Sequence, residues 1–231
     1  IDMDSIDSRP KIKEIKDNAN ELIAKRKEKI KKLKKERDEA KEDIADWEDE
    51  NGNVTEYEEV RKRLDELRNE KAGLWQKISD NQDKMEELPQ NSAEYKNLSE
   101  QNAKIRKQIE KMKKEQIQPV KKRLKTLAKK KVDEDNPSEG TIGNVIGKKL
   151  DRIDDIEDEI DKLRQKNAQT RRERDEMVDT AKELNTNIRN NTGKLPSTGA
   201  GSAGSTVSQI LKEAKIFSNF LLSSAKNDSY K

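Results

Sequence analysis

Leu64, Leu67, Lys71, Leu74, Ile78, Asn81, Met85 and Leu88 follow one another at alternating steps of three and four residues. The rhythm reaches back to Val60 and Tyr57 and returns in three other long stretches of the chain. Positions spaced this way stay on one side of a helix, so each stretch predicts a long helix with a narrow apolar seam.

The first predicted helix spans residues 10–50. Pro10 suits a first turn, and the seam runs through Ile12, Ile15, Ala19, Leu22, Ile23, Ile30, Leu33, Ala40, Ile44 and Trp47. The eleven-residue step from Ala19 to Ile30 predicts a stutter in the heptad. Asn51-Gly52-Asn53 breaks the helix. The second helix, 55–88, opens on a capping box of Thr55 and Glu58 and stops at Pro89. The third, 92–132, starts on Asn91 or Ser92 and carries Tyr95, Leu98, Asn102, Ile105, Ile109, Met112, Ile117, Val120, Leu124 and Leu127. Its step from Met112 to Ile117 is off-register close to Pro119, which predicts a kink or a restart. A loop at 133–141 leads to a fourth helix, 142–190, with a seam that includes Ile146, Leu150, Ile153, Ile156, Ile160, Leu163, Asn167, Thr170, Arg174 and Met177.

Short turns make successive helices antiparallel. Folding the chain back at the first turn sets Trp47 against Tyr57, Ile44 against Val60 and Ala40 against Leu64. At the second turn Ile78 meets Ile105, Leu74 meets Ile109, and Asn81 meets Asn102. At the third, Leu124 meets Leu150, Val120 meets Ile153, and Ile109 meets Leu163. One stripe on the second helix serves both its neighbours, so the helices are expected to close around a shared axis. The predicted fold class is all-α: an elongated antiparallel coiled coil or four-helix bundle, up-down-up-down, about 50 Å long from roughly 34 residues at 1.5 Å each. Two seam residues in seven are lean for four helices, so two hairpins completing their core by oligomerisation are the alternative. The polar seam residues Asn81, Asn102, Asn167, Thr170 and Arg174 are read as setting register and helix order.

Past residue 190 the chain changes character. Residues 191–205 are rich in Gly, Ser and Thr and read as a flexible linker. Residues 206–226 read as a fifth, amphipathic helix, capped by Thr206 with Gln209. Its apolar face holds Val207, Ile210, Leu211, Ala214, Phe217, Phe220 and Leu221, including both phenylalanines of the chain. A face of this kind on a tether is expected to dock into a groove of a partner or a neighbouring subunit, or to fold back onto its own bundle. Residues 1–9 and 227–231 read as tails. The chain begins with Ile rather than Met, so a trimmed or processed start is expected.

Of the 231 residues 43% are charged and 29% hydrophobic, yet 51 bases nearly balance 48 acids. Strong periodicity with little net charge favours solvent-wrapped helices over disorder. There is no cysteine and no histidine, which excludes disulfides, thiolate nucleophiles, Cys/His metal sites and His-based acid–base catalysis. No apolar run approaches the length of a membrane span.

Two basic runs are candidate polyanion contacts. Residues 25–37 hold nine bases against two acids, and residues 104–131 hold thirteen against two. The leading contact residues are Lys31, Lys32, Lys34 and Lys35 in one run, and Lys121, Lys122, Arg123 and Lys125 in the other. The predicted register sets the acids of 151–161 beside the first run and those of 38–59 beside the second, so much of this charge is expected to be neutralised within the chain. Gly140-Thr-Ile-Gly143-Asn-Val-Ile-Gly147-Lys148-Lys149 has the flavour of a phosphate loop, but its spacing is one residue short and no strand precedes it. Leu195-Pro-Ser-Thr-Gly199 resembles the sortase recognition motif of cell-wall-anchored surface proteins, yet the hydrophobic span and basic tail that motif requires do not follow it.

These features imply a non-enzymatic structural or assembly protein. It would be a stiff helical spacer or scaffold with a docking helix, of a kind suited to large assemblies such as virus particles. The alternative is a nucleic-acid-associated packaging or ejection factor that uses its Lys/Arg faces. No cofactor, metal, catalytic residue or small-molecule substrate is expected.

Overall fold

A computed structural model describes residues 9–191, and these are helical for almost their whole length. Helix α1 spans Arg9–Glu50, α2 Thr55–Glu86, α3 Ala93–Met112, α4 Gln118–Leu127 and α5 Ile142–Asn191. A π-helical turn, Lys113–Ile117, joins α3 to α4, and a short 3-10 turn covers Pro137–Glu139. The chain is thus all-α among the described residues, where the β element is confined to an isolated antiparallel bridge between Lys131 and Thr141. Asn191, the first residue of the predicted linker, ends α5; the rest of the linker, 192–205, and the docking helix 206–226, with Val207, Ile210, Leu211, Ala214, Phe217, Phe220 and Leu221, lie outside the described residues.

The turns differ from expectation in detail, each for a local reason. Thr55 does not form a capping box, because it is already the first residue inside α2 and the cap position belongs to Val54. The Thr55 hydroxyl instead donates back to the Gly52 carbonyl, while Val54 is buried. Asn51 closes the end of α1 by donating from Nδ2 to the Trp47 carbonyl at 2.8 Å. At the second turn Ser92 is the cap, and its hydroxyl accepts from the Tyr95 amide at 3.2 Å.

The third segment restarts as the sequence suggested: α4 begins at Gln118 with Pro119 in its first turn, joined to α3 through the π-turn. The five-residue step from Met112 to Ile117 is absorbed by the π-turn, which places one extra residue in a single wide turn. Ile117, Leu124 and Leu127 therefore continue on the buried side that Ile109 and Met112 began. The same wide turn accommodates Pro119, which follows it at the start of α4 and whose ring would otherwise crowd the carbonyl four residues earlier. Helix α4 stops at Leu127, five residues before the predicted end. There the backbone leaves the helix to make the ladder with the start of α5: the Gly143 amide donates to the Ala128 carbonyl at 2.8 Å, and the Ile142 amide to the Lys130 carbonyl at 3.0 Å. Gly140 takes a positive φ of 79°, and a Cβ at Gly143 would stand 3.1 Å from the Ala128 carbonyl oxygen. Two of the glycines that gave this stretch its phosphate-loop look, Gly140 and Gly143, serve a tight turn and a close backbone approach, while Gly147 lies inside α5.

Residues 30–164 form one compact unit. Within it Ile30 and Leu33 of α1 share a core cluster with Ile156, Ile160 and Leu163 of α5. Helix α2 packs on both α3 and α4. Asn81 Nδ2 donates to Asn102 Oδ1 at 2.9 Å, the pairing that the second fold-back requires. Each fully buried Leu or Ile of this unit contributes about 1.5–3 kcal/mol, which is why narrow seams suffice to hold long helices.

Among the described residues, 9–29 and 165–191 belong to a second compact unit. In its described part Ile15 packs on Val178, with Ile12 and Met177 beside them. No stutter is needed between Ala19 and Ile30, because Leu22 and a buried arginine, Arg26, occupy the intervening seam positions. Arg26 Nη1 donates to Thr170 Oγ1 at 2.9 Å, and Arg174 Nη1 to Asn20 Oδ1 at 2.7 Å. These pairs run antiparallel between α1 and α5.

Candidate functional site

The interior of the 30–164 unit is ionic as well as apolar. A chain of alternating charges crosses three helices. Glu48 at the end of α1 accepts two hydrogen bonds from Arg61 of α2, at 2.5 and 2.8 Å. Arg61 also donates to Asp65 at 2.7 Å, Asp65 pairs with Lys41 at 3.2 Å, and Glu157 of α5 lies 3.9 Å from Lys41 and 3.1 Å from Arg37. Arg68 of α2 and Lys121 of α4 both reach Asp154 of α5 at 2.7 Å. As deeply buried as Arg61 and Glu48, Lys71 meets Asp161 at 2.5 Å with side chains 5% and 7% exposed. Three or four residues along a helix return to the same face, so Arg61, Arg68 and Lys71 project from α2 beside its apolar seam.

Burial and neighbours perturb several of these groups. Arg164 is held below the usual guanidinium range by burial, against the pull of Asp161 and Glu157. Lys34 is lowered by burial and by the positive charges of Arg164 and Arg37. The Tyr57 phenol is pushed up by burial and by Glu48 nearby. Burial works against the charge on Arg61, but its hydrogen bonds to Glu48 win and raise it. Among the described residues four buried polar atoms have no hydrogen-bond partner: the Tyr57 hydroxyl, Trp75 Nε1, Asp161 Oδ1 and Asn167 Oδ1. Trp75 itself is buried, next to Leu74 on α2.

Between α2, α4 and α5 lies a cleft of about 110 Å³. Leu64, Leu124, Leu150 and Ile153 supply its apolar lining, and Lys121, Lys125, Arg68, Asp151 and Asp154 its charged groups. Most of those charges are already joined to one another, so the cleft holds an apolar gap framed by ion pairs. Among the described residues no group of three or more acidic side chains converges to hold a metal ion, and no helix is long and apolar enough to cross a membrane.

The eight residues singled out as polyanion contacts separate into two kinds. Lys121 is half-buried on Asp154, Arg123 bonds Glu56 at 3.2 Å, and Lys34 is partly buried beside Arg164. Lys31, Lys32, Lys35, Lys122 and Lys125 are exposed and make no ion pair among the described residues. The expected neutralisation is thus only partial. The acids of α5 do not chiefly face the first run: Asp154 goes to α2 and α4, Asp161 to α2, and only Glu157 reaches Arg37. From the acidic stretch 38–59, Glu56 alone pairs with the second run, through Arg123 and Lys130. Sequence reasoning missed the buried ionic members Arg26, Glu48, Arg61, Arg68 and Asp161. Their signal was faint but present: Arg61, Arg68 and Lys71 recur at steps of seven and three, the seam spacing itself.

No protein-family model, curated protein or solved structure matches the chain.

Proposed function

We propose that this chain is a non-enzymatic structural or assembly protein: a stiff antiparallel helical bundle that acts as a spacer or scaffold, with residues 206–226 as a helix that docks on a partner or on a neighbouring subunit. The observation that supports this reading is how the buried charges of the 30–164 unit are used. Lys71–Asp161, Arg61–Glu48 and Arg68–Asp154 each join a base of α2 to an acid of another helix, at separate levels. Buried ion pairs add little net stability, but any other helix order or register would strand a charge in the interior. Such an arrangement favours one long, unique helical body. Helix α2 alone, 32 residues, measures about 48 Å at 1.5 Å per residue. A body of this kind holds two things a set distance apart, and the apolar face of 207–221 is the part of the sequence suited to attach it.

Light scattering and hydrogen exchange on the full chain test the reading together. The expected result is a self-associated species that dissociates on Phe217→Asp with Leu221→Asp, at unchanged helicity. A monomeric full chain in which 207–221 is protected as strongly as α2 would overturn the docking role, because the helix would then be part of its own bundle.

A further inference from the structure

We propose that the solvent face of α3 and α4 is a binding surface for the phosphate backbone of a nucleic acid, read without regard to base sequence. This inference is independent of the docking role assigned to 206–226. Lys104, Lys107 and Lys114 lie at steps of three and seven on and just past α3, and Lys122, Lys125 and Lys129 at steps of three and four on and just past α4. All six are exposed, and none has an ion-pair or hydrogen-bond partner among the described residues. The π-turn that keeps Ile117 and Leu124 in phase with Met112 also keeps Lys104, Lys107, Lys114, Lys122 and Lys129 away from that buried side, while Lys125 stands at the edge of the cleft between α2, α4 and α5.

What sets this face apart is how little acid it holds past Glu100, which borders it one turn before Lys104. Residues 104–131 carry thirteen bases and two acids, a surplus of eleven in a chain whose total surplus is three, so the rest of the molecule is net acidic. The two acids are already engaged: Glu110 lies 3.6 Å from Lys113, and Glu115 4.0 Å from Lys111. The neighbouring helices contribute Glu56 and Asp154, which are held by Arg123, Lys130, Lys121 and Arg68. The first basic run holds a smaller surplus, nine bases against two acids, and its Arg37 is on Glu157 of α5. Lys31, Lys32 and Lys35 are exposed there too, but the larger surplus of unpaired charge belongs to α3 and α4. Lysines present compact point charges suited to phosphates, and aromatic side chains that could stack on bases are absent from residues 96–131, so affinity would come from counterion release.

Fluorescence anisotropy of the full chain with a labelled duplex of mixed sequence tests this. Six phosphate contacts predict a slope of log Kobs against log salt of about −5, and an affinity that falls on the order of a thousandfold between 50 and 200 mM salt. Replacing Lys107, Lys114, Lys122 and Lys129 by Gln should cut the slope to about −2, whereas Lys31→Gln, Lys32→Gln and Lys35→Gln together should change it by less than one. Circular dichroism of both variants checks that they fold as the parent does. No measurable binding at 50 mM salt, or an unchanged slope in the four-lysine variant, would overturn the proposal. So would competition by poly-glutamate as effective as unlabelled duplex at equal charge, which would assign the face to an acidic protein instead.

Discussion

Replacing Lys71 by Met strikes one of the two most deeply buried ion pairs among the described residues. The Lys71 ammonium and the Asp161 carboxylate are 2.5 Å apart, and their side chains are 5% and 7% exposed. The second carboxylate oxygen of Asp161 has no hydrogen-bond partner, so the ammonium is what compensates the buried charge. Lys71→Met is close in volume and leaves Asp161 unpaired in the interior, at a cost of about 3–5 kcal/mol. Against the roughly 5–15 kcal/mol by which a domain is stable, that is a large fraction. Asp161→Leu is expected to cost a similar amount, because it strands the lysine. The double variant Lys71→Met with Asp161→Leu should return to within about 1 kcal/mol of the parent, since an apolar pair of similar volume replaces an ion pair that is incompletely hydrogen-bonded. Urea unfolding followed by far-ultraviolet circular dichroism, with the slope m checked for constancy, measures all four corners of the cycle. Single variants that each lose under 1 kcal/mol would show that the pair is hydrated in solution. A double variant that loses the sum of the two singles would show that the charges do not depend on each other. Either result would remove the reason for treating these pairs as what selects one helix arrangement.

Four further outcomes are expected. Gly147 lies inside α5, and a Cβ there would meet nothing within 4 Å; Gly147→Ala should raise stability by about 0.5–1 kcal/mol in thermal melts, and Gly73→Ala in α2 should do the same. Asn102→Ala should cost about 1–2 kcal/mol in urea unfolding, because Asn81 loses its hydrogen-bond partner at a buried position. The Tyr57 phenol, raised by burial and by Glu48, should stay protonated where ordinary tyrosines ionise. Its contribution is fully present below pH about 10, the unfolded value, and is lost as pH rises toward the higher folded value, so a 295 nm titration should show one tyrosine that ionises only as α2 unfolds. The carboxylates of Glu36, Glu56 and Glu58 act at the other end. Hydrogen bonds from Arg152, Lys130 and Lys62 hold them below the usual carboxylate range. Whatever these exposed pairs contribute is present above pH about 4.5 and fades as pH falls through the lowered folded values, an effect that salt should weaken.

The helices were legible in the chain because seam spacing is a one-dimensional property. Leu64, Leu67, Leu74, Ile78 and Met85 each lie three or four residues, or one heptad, from the next, and no alternative secondary structure places such residues on one side. The second fold-back was legible for the same reason, and Asn81 meets Asn102 as counting from the turn requires. Other features depend on partners distant in sequence. Nothing in the neighbourhood of Arg26 says that Thr170 will receive it, so its place in the seam read as a gap. Pro119 marked the restart of the third segment, but the π-turn before it was not legible, because it lies in how Ile117, Leu124 and Leu127 must all reach one core. The pairing of charges was the least legible. Lysines and acids on a helix surface can join several neighbours over a few ångströms of side-chain reach, so counting residues gives their level but not their choice.

Composition and periodicity by themselves determined that this protein is built of long helices, that their seams are thin, and that cysteine and histidine chemistry is excluded. Tertiary structure decided which charges are buried, which are paired and which are left facing water. The physical reason is range: an apolar seam is written by residues a turn apart on one helix, whereas the fate of a charge depends on which oppositely charged group another helix brings within about 4 Å of it.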